Sequence, residues 1–338
     1  MTNTSWHELI AAPEDHPAVA CIGETMVSFI PSGAATLEAA ASVDLDVAGA
    51  ESNVAMYLAD HGIDARWISR LGDDAFGRRV LDRVRACGVD VSGVRIDPAR
   101  STGLLFKDPG SSEGGGTKVT YRRAGSAASA LGPDALDLEP VRTATLWHLT
   151  GITPALSASC RALVEAALDA PRPAVSFDVN FRPAVWRAQP AADPADLLLH
   201  YAQAADIVFV GLDEARSLWG EELAEAQDVR ALLPAPRILV VKDGERAATA
   251  FFGDESAVEP APRVKVIEPV GAGDAFAAGF LAALLQSRSA AQCLRSGHLT
   301  AAAALSVTGD HGPLPPPDEF ARRLAAAEPD WRRSPESP

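Results

Sequence analysis

The fold of this chain follows from short apolar runs such as Ile238-Leu239-Val240-Val241-Lys242. Similar runs cover residues 145–149, 174–178 and 206–210, and each precedes a loop and a segment with helical spacing of its apolar residues. A strand that is apolar at successive positions has no face for solvent, which is typical of a parallel sheet covered by helices on both faces. These runs predict an α/β fold with a doubly wound, mainly parallel sheet.

The same alternation of short strands and longer helices begins near the N-terminus. Apolar runs predict strands there, and alanine- and leucine-rich stretches that end at a glycine predict helices. Four elements are predicted in this way: a strand over 19–30, a helix over 52–61 closed by Gly62, a strand over 66–69 and a helix over 76–87 ended by Gly88.

Two stretches interrupt this rhythm, residues 34–48 and 101–125, which show strand-like alternation and no helical pattern. We predict that they form a small β-sheet lid beside the core, with the glycine run at 114–116 as a hairpin tip. Ordinary surface hairpins fit the same pattern. The folded domain is then predicted to span 19–325, with 1–18 and 326–338 as flexible termini.

Composition and charge limit the classes of protein to which the chain can belong. Of its 338 residues 47% are hydrophobic, which suffices for a large core and excludes a wholly disordered, collagenous or coiled-coil chain. The formal net charge of −15 repels a phosphate backbone, so we expect no nucleic-acid partner. A few placed cations and backbone amides can still hold an acidic small molecule.

The cysteines and the N-terminus bear on cellular location. The four cysteines are far apart and form no C-x-x-C pair, which predicts neither a disulfide framework nor a metal site. Residues 1–17 lack the basic and apolar regions of a secretory signal, and no run of 18 apolar residues is present. We therefore expect a cytoplasmic protein with no membrane segment.

The strongest local motif is Val270-Gly271-Ala272-Gly273-Asp274-Ala275-Phe276, followed by a helical run over 277–285. Small residues before a helix let backbone N–H groups converge on an anion at the positive end of the helix dipole. The residues from Gly271 to Gly273 are predicted to form this cradle, and Asp274 to accept a proton from a hydroxyl, as phosphoryl transfer requires. A glycine-rich turn capped by an aspartate is the alternative interpretation.

Two other phosphate-binding motifs fail on inspection. A dinucleotide fingerprint needs a third glycine where this chain has Phe276, and a P-loop needs Gly-Lys-Ser/Thr where Gly116-Thr117-Lys118 has the reverse order. A nucleotide is therefore held in some other way.

Residues 271–274 and the segment Ala48-Gly49-Ala50-Glu51-Ser52-Asn53 resemble the ribokinase-like PfkB carbohydrate kinases, and the resemblance extends from about residue 19 to 325. Four segments are similar to one branch of that family, the 2-keto-3-deoxygluconate kinases: residues 121–127, 146–156, 178–182 and 309–311. In this family the lid sheets of two subunits commonly pair, which implies a homodimer or a higher homo-oligomer.

The resemblance implies a kinase that uses ATP and Mg²⁺ and phosphorylates a sugar or a sugar acid. Asp274 matches the family's base, which deprotonates a primary hydroxyl, and residues 271–273 match its anion hole. Glu214 matches the acidic residue that organises Mg²⁺ through water. The remaining matches are sugar contacts at Gly49, Asn53 and Asn180 and ATP-side contacts at Lys242, Gly244, Gly271, Gly273 and His298.

A keto-acid sugar carries a carboxylate, for which a guanidinium is the natural partner. Arg123 follows Tyr121 by two, so in a strand both side chains share a face, whereas Arg122 points the other way. Arg182 lies just past the strand that ends at Asp178, at the carboxyl edge where ligands bind such sheets. In the 2-keto-3-deoxygluconate kinases the residues matching Tyr121, Arg123 and Arg182 contact the substrate.

Several positions depart from the family pattern. Leucine replaces a tyrosine near 104–105, Ser28 an acidic residue, Gly211 an asparagine of the metal motif and His298 an asparagine near the adenine. The favoured function is phosphorylation of 2-keto-3-deoxygluconate to its 6-phosphate. A neutral-sugar kinase, such as a fructokinase, is the nearest alternative, and a non-catalytic sugar-sensing protein on the same fold is a more remote one.

Overall fold

The computed structural model describes residues 17–33, 36–109, 117–169, 173–187, 193–253, 255–326 and 331. Its strands are β1 (Ala18–Ile22), β2 (Met26–Pro31), β3 (Val43–Ala48), β4 (Asp64–Gly72), β5 (Val94–Asp97), β6 (Leu104–Asp108), β7 (Lys118–Arg122), β8 (Leu146–Thr150), β9 (Ala174–Asp178), β10 (Ile207–Gly211), β11 (Ile238–Asp243), β12 (Ala247–Phe252) and β13 (Glu255–Pro260). Its helices are α1 (Ala50–Asp60), α2 (Ala75–Ala86), α3 (Glu139–Arg142), α4 (Ala158–Asp169), α5 (Pro183–Trp186), α6 (Pro194–Ala204), α7 (Leu212–Trp219), α8 (Ala226–Leu232), α9 (Ala272–Leu285), α10 (Ala290–Leu305) and α11 (Pro317–Leu324). The glycine run at 114–116 and nearly all of the predicted flexible termini lie outside the described residues.

Within the described ranges, nine strands form one sheet in the order β13-β12-β11-β10-β9-β8-β1-β4-β5. The seven strands from β11 to β5 are parallel to their neighbours, and β12 and β13 form an antiparallel extension at one edge. Strand order runs outward in opposite directions from the boundary between β1 and β8, where such sheets bind ligands. The predicted doubly wound, mainly parallel sheet is confirmed.

The apolar strands are explained by two hydrophobic clusters, one on each face of this sheet. In β10, Ile207 and Phe209 belong to the cluster under α1, α9 and α10, whereas Val208 and Val210 belong to the cluster under α4 and α6. Because side chains alternate between faces, both sets of positions must be apolar. Burial of both faces thus removes the polar alternation that marks a half-exposed strand.

A second sheet of four strands, in the order β3-β2-β6-β7, stands beside the first. Its strands β3, β6 and β7 fall in the two stretches that interrupt the helical rhythm, but β2 does not. The predicted single strand over 19–30 is wrong, because the chain leaves the large sheet after Ile22 and Met26 begins β2 in the small one. β1 is wholly buried and apolar and β2 is mostly so, apart from Ser28, so hydrophobicity alone does not reveal the break.

The remaining predicted elements have the expected type with shifted ends. The helix closed by Gly62 is α1, the strand over 66–69 is part of β4, and the helix ended by Gly88 is α2. No helix in the part of the chain that the structure describes is long and apolar enough to cross a membrane.

Helices α9 and α10 pack against each other with almost no space between their backbones. Gly279 of α9 faces Ser296 and Thr300 of α10, and its carbonyl oxygen accepts a hydrogen bond from Ser296 Oγ at 2.7 Å. A Cβ at position 279 would lie 2.5 Å from the carbonyl oxygen of Ser296 and 2.8 Å from Thr300 Cβ. This close approach fixes the position of α9, which begins at the predicted cradle.

We expect Gly279→Ala to destabilise the protein by about 1–3 kcal/mol, because the added methyl group must push two helices apart in a packed core. Urea denaturation measures the change. Gly132→Ala is the matched control, since a Cβ there meets only the exposed end of the Asp134 side chain at 3.1 Å, and we expect it to stay within about 0.5 kcal/mol of the parent. Equal stability of the two variants would contradict this account of the interface.

Candidate active site

Functional side chains meet at the carboxyl ends of the parallel strands. Glu24 follows β1, Asp178 ends β9, Gly211 ends β10 and Lys242 lies near the end of β11. A cavity of about 680 Å³ opens at this edge, between the strands and the helices α9 and α10. Its wall includes the polar residues Asp178, Arg182, Lys242 and Asp274 and the apolar residues Val266, Ala301 and Leu305.

The predicted anion cradle lies at the start of α9. Gly271 caps the helix with φ of +89°, a left-handed conformation that glycine adopts without strain. The Ala272 N–H donates to the Pro269 carbonyl oxygen at 3.4 Å, whereas the next N–H groups of the first helical turn have no carbonyl partner four residues earlier and lie at the positive end of the dipole, beside the cavity. A Cβ at Gly273 would lie 3.4 Å from Lys242 Nζ, which places an ammonium group beside the same cradle.

Asp274 lies in the first turn of α9 with its carboxylate almost wholly buried. Asn53 Nδ2 donates to its Oδ2 at 3.0 Å, and Asn180 Nδ2 donates to its Oδ1 at 3.0 Å. Burial raises the pKa of Asp274 to about 6, although the Asn53 hydrogen bond opposes the shift. The carboxyl group is therefore fixed in orientation and can exchange a proton near neutral pH.

Asn180 is one of the few non-glycine residues with positive φ, at 38°. Its N–H donates to Asp178 Oδ1 at 3.2 Å, a local bond of the kind that lets asparagine adopt this conformation. The unusual backbone aims its amide at Asp274, whereas its Oδ1 is buried and has no partner among the described atoms. Such strain at a cavity wall is typical of functional positions.

Gly49 permits the approach of α1 to the same centre. A Cβ at this position would lie 2.6 Å from Thr25 Oγ1 and 2.8 Å from Thr25 Cα. The start of α1 therefore packs directly on the chain between β1 and β2, and this brings Asn53 within reach of Asp274.

Lys242 and Glu214 flank Asp178 in the cavity. Lys242 Nζ donates to Asp178 Oδ2 at 2.9 Å. Glu214 caps α7 by accepting from the Gly211 N–H at 3.1 Å, and its other oxygen accepts from the Phe181 N–H. Burial, with the nearby Asp178 charge, raises the pKa of Glu214. Glycine at 211 offers no side chain here, so Glu214 carries the polar contacts of this turn.

A Mg²⁺ ion of the predicted kind fits these residues only through water. No group of three or more His, Cys, Asp and Glu side chains within the described ranges is placed to hold a metal ion. Mg²⁺ usually keeps several waters and binds one or two carboxylates together with substrate phosphates. Glu214 is one of several carboxylates that line the cavity, and its action through water agrees with that pattern.

The predicted ATP-side residues Gly244 and His298 both line the cavity. His298 Nε2 lies 3.1 Å from the Glu259 carbonyl oxygen, which can only accept, so Nε2 carries the proton and Nδ1 is an acceptor. Burial lowers the pKa of His298 to about 4, so the ring is neutral. It stands edge-on to Phe276, with ring centroids 5.1 Å apart.

The two predicted carboxylate-binding arginines have different surroundings. Arg123 lies over the Tyr121 ring, with Cζ 5.4 Å from the centroid, so the predicted shared face is confirmed and Arg122 is exposed. The Arg123 guanidinium is already paired with the buried Glu24, at 2.5 Å from Nη2 to Oε2. Arg182 is exposed in the cavity wall near Asp274 and makes no ion pair within the described part of the chain.

Sequence reasoning missed four buried charged residues of this region: Glu24, Glu51, Lys107 and Asp310. Glu24 had a usable signal, because an acidic residue between two apolar strands marks a strand end at the ligand-binding edge. Lys107 and Asp310 form a buried ion pair of 2.6 Å across 203 positions of sequence, which no local pattern reveals.

Glu51 is the fourth of these residues, on α1 two positions before Asn53. Its Oε1 accepts from the hydroxyl groups of Thr150 and Thr153, each at 2.7 Å. Burial raises the pKa of Glu51 to about 7 against these hydrogen bonds. Besides Asp274 on α9, Glu51 on α1 is therefore a second carboxyl group of this region that exchanges its proton near neutral pH.

Comparison with known proteins bears on the identity of this site. Residues 17–317 match the model of the pfkB family of carbohydrate kinases. The chain is similar to a 2-dehydro-3-deoxygluconokinase of Thermoproteus tenax, with 34% identity over 91% of this chain and 94% of that relative. It is also similar to a probable chloroplastic fructokinase-6 of Arabidopsis thaliana, with 30% identity over 82% of this chain and 73% of that relative.

Among solved structures, a PfkB protein from Polaromonas sp. JS666 superposes with a TM-score of 0.78 at 32% identity. The superposition covers 92% of this chain and 100% of that one. Likeness therefore extends over both sheets and the cavity edge.

We expect Glu51→Gln to stabilise the protein at pH 8 by up to about 3 kcal/mol and to leave stability near pH 4 unchanged. The folded carboxyl keeps its proton up to about pH 7, whereas the unfolded one loses it near 4.5, so the parent loses stability as pH rises between these values. Glutamine retains an oxygen that accepts from both threonines.

Urea denaturation at several pH values measures this difference, and Glu221→Gln, the same change at an exposed glutamate, serves as the control. A Glu51→Gln variant that is less stable than the parent at pH 8 would show that the buried carboxyl is ionised and paired instead.

Proposed function

The chain belongs to the pfkB family of carbohydrate kinases, and we propose that it transfers the γ-phosphoryl group of ATP to 2-keto-3-deoxygluconate. The resemblance inferred from sequence to the ribokinase-like PfkB kinases is confirmed by the family match and the similar structure. The proposed product is the 6-phosphate of this sugar.

The observation that carries the proposal is the orientation of Asp274 at the mouth of the anion cradle. Two asparagine amides fix its carboxylate, and burial brings its pKa to about 6. A general base is most effective when its pKa lies near the working pH. We assign Asp274 as the base that takes the proton from the primary hydroxyl of the sugar.

The proposed reaction is an in-line phosphoryl transfer. The hydroxyl oxygen bonds to the γ-phosphorus as Asp274 accepts its proton, and the bond between this phosphorus and the β–γ bridging oxygen breaks to release ADP. The backbone N–H groups of residues 271–273 stabilise charge on the transferred group, together with Lys242. When bound, Mg²⁺ would supply further charge neutralisation at the phosphates, with Glu214 orienting its waters.

For ATP, we propose that the nucleotide lies in the 680 Å³ cavity, which has the size of a typical small-molecule site. Gly244 and the neutral ring of His298 are assigned to its wall on the nucleotide side. Gly271 and Gly273 are assigned to the phosphates.

On the sugar side, we assign Gly49, Asn53, Tyr121, Asn180 and Arg182 to substrate contacts. Arg182 is the strongest support for a sugar acid, because it is a cation near Asp274 without an internal counter-ion in the described structure. A bidentate guanidinium is well suited to bind a carboxylate. The named activity of the Thermoproteus tenax relative agrees with this choice.

Arg123 has a different part in the proposal. Glu24 already neutralises the charge of Arg123. Arg123 can therefore bind a substrate carboxylate only if its guanidinium contacts both carboxylates or releases Glu24. We propose that it contacts the substrate from this fixed position, beside Tyr121.

A neutral-sugar kinase remains the second candidate, and the Glu24–Arg123 pair is the observation that favours it. An arginine satisfied within the protein removes one reason to expect an anionic sugar. Leu105 also stands opposite Tyr121 in the pairing of β6 with β7, where a further hydroxyl donor to the sugar is lacking. The fructokinase relative agrees with this alternative.

We also propose that residues 19–325 form one kinase domain in which the four-stranded sheet acts as a lid, with inserts at about 34–48 and 101–125. Side chains from this sheet support the proposal, since Lys107 of β6 reaches the loop after α10. We propose that two such sheets pair in a homodimer or a higher homo-oligomer. The edge strand β3, with Val43 40% exposed, supports that pairing.

Asp274→Asn should reduce kcat by at least about 100-fold while sugar affinity changes little, because the variant keeps the shape of the side chain and loses its basicity. A coupled assay of ADP release measures kcat, and calorimetric titration measures sugar binding. In the parent enzyme, kcat should fall as the pH drops below about 6, where Asp274 gains a proton. Near-normal turnover of the variant would refute the assignment of the base.

A panel of keto-acid and neutral sugars in the same assay tests the substrate. We expect the highest kcat/KM for 2-keto-3-deoxygluconate, and Arg182→Ala should reduce it by about 10- to 100-fold while neutral sugars change little, because a charge-assisted hydrogen bond contributes about 1.5–3 kcal/mol. Arg122→Ala, at an exposed arginine, is the matched control. Equal losses for both classes of sugar would assign Arg182 another role, and a higher kcat/KM for fructose would favour the second candidate.

A further inference from the structure

An ion pair deep in the protein joins the four-stranded sheet to the active site. Lys107 lies on β6, and its side chain is only 1% exposed. Its Nζ donates to Asp310 Oδ1 at 2.6 Å and to the carbonyl oxygen of Thr308 at 3.3 Å. Asp310, in the loop after α10, is only 4% exposed. Two charges have therefore been taken out of water at the junction of the two sheets.

A buried ion pair is a poor device for stability alone. Desolvation of the two charges offsets most of their attraction, and apolar residues of similar size often stabilise a protein as well or better. The ion pair instead fixes the position of each partner, because Lys107 Nζ must point at both the Asp310 carboxylate and the Thr308 carbonyl oxygen.

Asp310 uses its second oxygen at the catalytic centre. Asn53 Nδ2, which donates to Asp274 at 3.0 Å, also lies 3.3 Å from Asp310 Oδ2. The backbone of Asp310 lies behind the cradle, because a Cβ at Gly271 would be 3.1 Å from the Asp310 carbonyl oxygen. Asp310 thus contacts both the amide that orients Asp274 and the first residue of the cradle.

We propose that Lys107 and Asp310 are positioning residues that couple the docking of the four-stranded sheet to the orientation and charge of Asp274. Lys107 holds Asp310, and Asp310 holds the Asn53 amide that fixes the base. With the sheet displaced, Lys107 leaves and Asp310 loses its counter-ion. This inference rests on the proposed role of Asp274 as the base.

The charges around Asp274 set the sign of the expected pH effects. Negative charges of Asp178 and Asp310 raise its pKa, the positive charge of Arg182 lowers it, and Glu51 on α1 is a further acidic neighbour. Asp310 itself faces Lys107, the Asn53 amide and the Tyr57 ring from β6 and α1. Removal of the Asp310 charge therefore favours the ionised form of Asp274.

The first test is Asp310→Asn, which keeps the shape of the side chain and an oxygen that can accept from Asn53. We expect the acid limb of the kcat–pH profile to move to lower pH by up to about one unit, because one negative charge near the base is lost. A limb that stays in place or moves to higher pH overturns the proposal. This readout does not depend on stability, since a folded variant reports it at any melting temperature.

The second test separates positioning from stability with Lys107→Met and the double variant Lys107→Met/Asp310→Leu. The single variant leaves a buried carboxylate without its partner, so both Tm and kcat should fall. In the double variant an apolar pair replaces the ion pair, so Tm should return to near the parent value, but kcat should stay about 10- to 100-fold low because Asn53 has lost one acceptor. The KM for ATP should change little in both.

Recovery of kcat together with Tm in the double variant would show that the pair is only structural. Lys118→Met, the same change at an exposed lysine of β7 in the same sheet, should leave both quantities at the parent level. If the double variant does not fold, the pH profile of Asp310→Asn decides alone.

Asp274→Asn distinguishes failure of this inference from failure of the base assignment. If Asp274→Asn is inactive and the kcat–pH profile of Asp310→Asn does not shift, only the coupling between the four-stranded sheet and Asp274 is rejected. An active Asp274→Asn rejects the proposed base and the coupling with it.

Discussion

The hydrogen bonds that two asparagine amides donate to the buried carboxylate of Asp274 are the contacts on which the active site depends. Asn53 comes from the first long helix and Asn180 from the loop after β9, so the base is fixed only when both halves of the sheet are assembled. Close backbone contacts make this possible. Gly49 lets α1 approach the chain after β1, and Gly279 lets α9 approach α10. Because both contacts exclude a Cβ, the geometry of the base is tied to the packing of the core.

Charge is arranged in this protein by local pairing, not by the overall balance. The chain has a net charge of −15, yet three buried or partly buried cations near the site each have an acidic partner: Lys107 with Asp310, Arg123 with Glu24 and Lys242 with Asp178. Arg182 is a cation of the cavity wall that makes no ion pair in the described structure. A field of this kind can hold anionic substrates in an acidic protein, because interactions at a few ångströms outweigh the screened charge of the distant surface.

The sequence was sufficient for the fold class and for the position of Asp274 in the first turn of a helix. Continuous apolar strands predicted a parallel sheet covered on both faces, and the small residues 271–273 predicted a helix start with Asp274 in its first turn, where α9 begins. These inferences succeed because they depend on local spacing, which the backbone converts directly into geometry. The strand over 19–30 failed for a related reason. Burial makes β1 and most of β2 apolar, so the only signal that they belong to different sheets is the short segment around Glu24.

What the sequence determined by itself is therefore the alternation of buried parallel strands with helices, the small residues where α9 begins and the residue types available at the carboxyl edge of the sheet. Tertiary structure alone decided which of those residues are free. The sequence predicts the same carboxylate-binding role for Arg123 and Arg182. Packing, however, gives Arg123 a buried acidic partner and leaves Arg182 in the cavity wall. Lys107 and Asp310 are 203 positions apart in the sequence. They meet only because β6 packs beside the loop after α10. The pairing of charges depends on their distance in space, and separation along the sequence does not give that distance. The ion pairs are therefore evident only once the two sheets are packed together.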